Sequence, residues 1–116
     1  MIDICVDEAY AFDYYAILEI KFQKGAISNS LLETLNNKIS IQIGNKLFDT
    51  IINSLEYKNL YDANMNTFIA VEKAKTNEFT AKEVDMINYK RMIAKQELQK
   101  KYFTNPLKEV KIGYNI

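Results

Sequence analysis

The chain has 116 residues and a mass of 13.5 kDa, the size of one ordinary domain. Fifteen Lys and Arg balance fifteen Asp and Glu, which argues against a partner held by net charge, whether nucleic acid or anionic membrane. The absence of histidine and the presence of a single cysteine, Cys5, exclude imidazole-based metal or acid–base chemistry and any intramolecular disulfide, and fit a reducing, cytoplasmic setting.

Ala9 to Phe22 is the longest apolar stretch, but it carries Asp13, Glu19 and Lys21 and is too short for a bilayer. The start lacks the basic flank of a signal peptide. With one Pro and three Gly, the chain is expected to form long helices with short connections.

A first helix is predicted over about 7–24, with Asp7 as N-cap and Gly25 ending it. It carries two apolar stripes, one of Ala9, Phe12, Ala16 and Ile20, the other of Ala11, Tyr15, Leu18 and Phe22. Two such faces need two covering surfaces, which points to a homodimer formed through the second one. A helix over 30–76, broken near Gly44, follows from the capping box Ser30-Leu31-Leu32-Glu33 and from apolar spacing through Phe48, Ile52, Leu55, Tyr61, Phe68 and Val71. The third helix, 80–103, begins at a second capping box, Thr80-Ala81-Lys82-Glu83, with Phe79 placed to staple onto Val84, and ends before Asn105-Pro106. Alternation of Ile2, Ile4 and Val6, and of Val110, Ile112 and Tyr114, suggests a short two-stranded ribbon between the termini. The expected fold is mainly α, a single helical domain over 1–116.

Residues 1–20 hold five acids and no base, whereas 80–103 hold six bases and three acids. Antiparallel or crossed packing of the first helix on the third would bring the opposite signs together.

Arg91 falls within the apolar stripe of Val84, Ile87, Ala94, Leu98 and Tyr102, with Lys95 and Asn88 at its border. A guanidinium facing the core must be paired or reach the edge, because its isolated burial costs several kcal/mol, about 3–5 when one member of a buried pair is lost. Glu19 and Glu72 are the expected carboxylate partners, and Asn64 shares the stripe of Glu72. Two readings compete: an ion-pair network that fixes helix register, and an inter-helix pocket in which Arg91 and Lys95 hold a small anionic ligand. The first carries more weight, since structural networks perturb ionisable groups as active sites do.

Enzymatic readings fare worse. Paired Glu-x-x-Glu and Glu-x-x-Asp motifs, by which all-α nucleotide pyrophosphohydrolases hold magnesium, do not occur, and a di-iron bundle needs histidine. No metal or other cofactor is expected. Cys5 lacks an imidazole partner and reads as a semi-buried structural thiol. Arg91, Lys95 and Glu72 suit a small enzyme of the chorismate mutase type only in kind. Lys90, Lys100 and Lys101 point away from the apolar stripe and read as a solvated face, not a nucleic-acid patch.

The run Val6 to Lys21, with Asp13 and Ile17-Leu18-Glu19-Ile20-Lys21, resembles the opening of a family of short proteins of bacteria and marine phages. Further family motifs resemble Asn64, Phe68 and Glu72, then Asn88, Arg91 and Lys95, then Glu109, Lys111 and Tyr114. The family's Ser-Pro-Gly-Glu turn is replaced here by Asp7-Glu8-Ala9-Tyr10. The resemblance implies no catalytic residues, because the family has no established activity; the neighbourhood of glycan-synthesis genes implies at most an accessory role there. The leading expectation is a non-catalytic interaction or assembly module acting as a homodimer, and the rival is an anionic-ligand protein or enzyme built around Arg91, Lys95, Asn88, Glu72, Glu19 and Asn64.

Overall fold

The computed structural model describes residue 2, residues 5–76 and residues 79–103. Five helices follow in chain order: α1 (Glu8–Gln23), α2 (Asn29–Ile43), α3 (Asn45–Ile52), α4 (Leu55–Lys75) and α5 (Ala81–Tyr102). Among the described residues there is no strand. The terminal ribbon expected from the sequence involves residues 4 and 110–114, which lie outside the described residues.

The first helix ends as its sequence demands. Gly25 takes φ +74°, its N–H reaches the Phe22 carbonyl at 3.0 Å, and the Ala26 N–H reaches Lys21 at 2.8 Å. This six-to-one and five-to-two pair of bonds satisfies the last carbonyls of α1, and a residue with a Cβ would resist that φ.

The long middle helix is not one helix but three. Gly44, at φ +94° and ψ 145°, makes the expected break in a backbone region that is nearly glycine's alone. A second break, at Asn53-Ser54, corrects the sequence reading. The apolar phase of Phe48 and Ile51, carried on as a straight helix, would aim Leu55, Asn59 and Asp62 at the core. The buried set beyond the break is instead Tyr57, Leu60 and Asn64, whereas Leu55 is 65% exposed. The turn rotates the chain so that both segments bury their own apolar face, and Ser54 caps the new start by accepting the Tyr57 N–H at 3.1 Å.

The capping boxes fare differently. At Thr80 the Glu83 N–H donates to the threonine hydroxyl and the two side chains bond to each other, both at 3.2 Å. At the second helix the start lies earlier than the box: Ser28 is the N-cap, Ser30 bonds Ser28 at 2.9 Å, and Glu33 accepts from Asn29. Asn29 therefore takes the carboxylate that a cap at Ser30 would have used.

The helix α1 is the centre of the fold, packed by α2, α4 and α5. Both of its stripes are covered within the chain as far as Leu18 and Ile20. Phe12 and Ala16 are buried, and so are Tyr15 and Leu18 of the second stripe. The face from which the sequence argued for a second copy is thus filled by α2, α3 and α4, which the two-break middle segment supplies. On that side Phe12 stacks on Phe48 at 5.8 Å between centroids, Tyr15 meets Phe48 edge-on at 5.5 Å, and Tyr57 and Phe103 close the ring cluster.

Candidate functional site

On its other side α1 meets α5 through polar groups. Pairs form between Glu8 and Gln99, Tyr10 and Lys95, and Asp13 and Arg91. Residue numbers rise on one helix as they fall on the other, so the packing is antiparallel and acid faces base, as the charge distribution suggested. Gln99, only 2% exposed, takes over the capping of α1: its carbonyl accepts the Ala9 N–H at 2.8 Å while its amide donates to Glu8 at 3.1 Å. One of the unsatisfied N–H groups of the first turn is met from a distant helix.

The centre of the constellation is Asp13. Its carboxylate is buried and each oxygen has one donor: the Asn64 amide on Oδ1 at 2.8 Å and the Arg91 guanidinium on Oδ2 at 3.2 Å. The second amide hydrogen of Asn64 goes to the Leu60 carbonyl at 3.0 Å, holding the side chain against its own helix. Three helices are therefore tied at one carboxylate.

Arg91 does have its expected carboxylate partner, but neither of the two named. Glu19 lies six residues beyond Asp13 on α1, about 9 Å farther along the axis, and there accepts the Tyr57 hydroxyl. Glu72 has rotated off the buried stripe of α4, where Thr67 and Ala70 take the inward positions, and it pairs with Lys75 on the surface at 3.1 Å. Lys95 is buried with its ammonium 3.9 Å from the centroid of the Tyr10 ring, and Asn88 is half-buried on α5. Of the six residues singled out from the sequence, Arg91 and Asn64 meet at one point, Lys95 and Asn88 lie about one turn to either side of Arg91 along α5, and Glu19 and Glu72 are elsewhere.

Asp13 and Gln99 were missed as members, yet both carried a signal. Asp13 follows Ala9 by four residues and precedes Ala16 by three, and so stands on the very stripe assigned to the core. Gln99 adjoins Leu98 and precedes Tyr102 by three. Polar residues at inward positions are as telling as the arginine was. Cys5 corrects another expectation: it is exposed, in the segment that leads into α1.

Beside the junction is a small cavity of about 170 Å³ lined by Ile17, Ile20, Phe68 and Thr67, with Asn64, Arg91 and Lys21 at its wall. Asn64 and Arg91 reach it already bonded to Asp13. Among the described residues no group of three or more His, Cys, Asp or Glu side chains is placed to share a metal ion, and no helix is long and apolar enough to cross a membrane. No family model matches the chain, and none of the curated proteins or solved structures is similar to it.

Glu19 sets the electrostatics of the opposite end of α1. Burial first, and the hydrogen bond to Glu19 second, push the Tyr57 phenol far above its ordinary value; burial and then Glu19 raise Tyr15 and Tyr61 as well. The unfolded chain releases these protons near pH 10, while the folded chain holds them to higher pH, Tyr57 most firmly. The corresponding stability is complete below pH 10 and is lost as pH rises beyond it. Melting temperatures measured at about pH 8 and about pH 11 should fall more steeply for the wild type than for Tyr57→Phe, with Tyr15 and Tyr61 keeping part of the slope in the variant.

For the Asp13 junction a double-mutant cycle is decisive. Arg91→Met leaves a buried carboxylate without its cation and should destabilise by about 2–4 kcal/mol in urea unfolding, the partial exposure of the guanidinium keeping it below the fully buried range. In the Asp13→Asn background the same substitution should be milder by at least about 1 kcal/mol. Additivity would mean that the pair is a contact without coupling.

Proposed function

We propose that this protein is a non-catalytic interaction or assembly module, acting as a homodimer in the cytoplasm. The observation that carries the reading is the closed state of the arginine: the cation placed on the inward face of α5 already holds a carboxylate, Asp13, and that carboxylate is held again by Asn64. The groups most suited to grip an anion are used to fasten the helices. What the fold leaves available is surface, and much of it is apolar: Met86 is 56% exposed, and Ile69 and Ile93 stand out from α4 and α5. The exposed thiol of Cys5 supports a reducing compartment.

Membership of the phage and bacterial family is part of the proposal. It is supported by the fact that Asp13, Asn64 and Arg91, drawn from three separate motifs of that resemblance, converge on one carboxylate. The rival reading, a small anionic-ligand protein accessory to glycan synthesis, draws support from the 170 Å³ cavity, whose wall includes Arg91 and Lys21. It is the weaker of the two because Arg91 enters that wall already neutralised.

Light scattering of the full chain at micromolar concentration should return twice the 13.5 kDa of a single chain. A single-chain mass up to about 100 µM would contradict the homodimer.

A further inference from the structure

A long concavity lies away from the Asp13 junction. It is a groove of about 680 Å³ running along the outer side of the α4–α5 hairpin, with Ala63 and Ala94 lining its middle and Ile69, Ile87, Ile93 and Phe79 along its length. The two alanines are short enough to let another backbone approach. Ile69 and Ile93 remain 41% and 37% exposed, so apolar area is left open to water at its middle.

Charge along this groove is not random. The Glu56–Lys101 ion pair, at 3.3 Å, fixes the register of the antiparallel hairpin, so that Glu97 lies level with about residue 60 of α4 and Lys90 level with about residue 67. The groove therefore holds Glu56, Glu97 and Asp62 toward one end and Lys90 and Lys73 toward the other. Asp62 and Lys73 are about 16 Å apart along the axis at about 1.5 Å per residue. Asp62, Lys90 and Glu97 are exposed, and among the described residues none of them forms an ion pair.

A groove that is acidic at one end and basic at the other is complementary to itself when turned end for end, which is what a two-fold axis does. We infer that the occupant of the α4–α5 groove is the same groove of a second copy, the two hairpins packing antiparallel into a four-helix bundle. This deepens the homodimer reading, on which it rests, by assigning its interface. With the axis midway between the levels of Asp62 and Lys90, Asp62 of each copy comes level with Lys90 of the other, the Ile93 side chains of both copies lie between these two levels and the Ile69 side chains just beyond them. The interface is isologous, so each such contact occurs twice, and a single reversal of charge turns two attractions into two repulsions.

Charge reversal tests the arrangement without removing any buried group. Asp62→Lys and Lys90→Asp, each alone, should raise the dimer dissociation constant at least about tenfold in sedimentation equilibrium of the full chain. Mixed in equal amounts, the two variants should recover wild-type association: the first then carries a base at both positions and the second an acid at both, so each contact between unlike copies is attractive. Far-UV circular dichroism reports whether each variant is folded; if either is not, Ile93→Lys takes its place and should sediment as a single chain. A wild-type dimer that neither reversal weakens, or weakened variants that do not recover on mixing, would overturn this interface and leave the homodimer standing on another face. A wild type that sediments as a single chain at about 100 µM would overturn the homodimer itself.

Discussion

A carboxylate taken out of water must be compensated locally, and Asp13 is the point on which this fold depends. Its position on α1 is four residues from one core alanine and three from another, so the helix cannot bury its apolar stripe without burying the acid too. The desolvation is offset by one neutral and one charged donor, Asn64 at 2.8 Å and Arg91 at 3.2 Å. Neither donor can move along its helix by a turn and still reach. The junction thereby selects one register of α4 and α5 on α1 out of the several that apolar contact alone would tolerate.

The two sides of α1 are specified in different ways. Toward α2, α3 and the start of α4, the match is one of shape, with Phe12, Tyr15, Phe48 and Tyr57 interlocked as rings. Toward α5 it is one of pairing, with Gln99 on the helix start, Lys95 over Tyr10 and Arg91 on Asp13 in sequence along the axis. Polar pairing of this kind adds less to stability than it adds to orientation, and it consumes the groups that a ligand would need. The outer side of the α4–α5 hairpin, in contrast, keeps both apolar area and unmatched charge.

Much of this was legible in the sequence, because the governing signals were local. Gly25, Gly44 and Thr80 each act on their own backbone, and the ends of α1 and α5 fell within a residue or two of expectation. The second break in the middle segment was not read, since Phe48, Ile52 and Leu55 keep helical spacing through Asn53-Ser54, and only the exposure of Leu55 reveals that the phase has been reset. The homodimer argument from α1 failed for the same reason: a segment counted as one helix could not cover a face that three helices cover. At the site, an arginine on an apolar stripe correctly announced a buried carboxylate. The spacing favours Glu19 and Glu72, the second sharing its stripe with Asn64, whereas the carboxylate that Arg91 meets is Asp13, which stands on the core stripe of α1 itself.

Arg91 is the chain's single arginine, so its guanidinium can be observed without ambiguity. Nitrogen-15 NMR of that group should show hindered rotation about the bond to the nitrogen that faces Asp13, unchanged by millimolar phosphate and abolished in Asp13→Asn. A guanidinium that rotates freely in the wild type, or whose resonances move with phosphate, would contradict a junction closed on its own carboxylate.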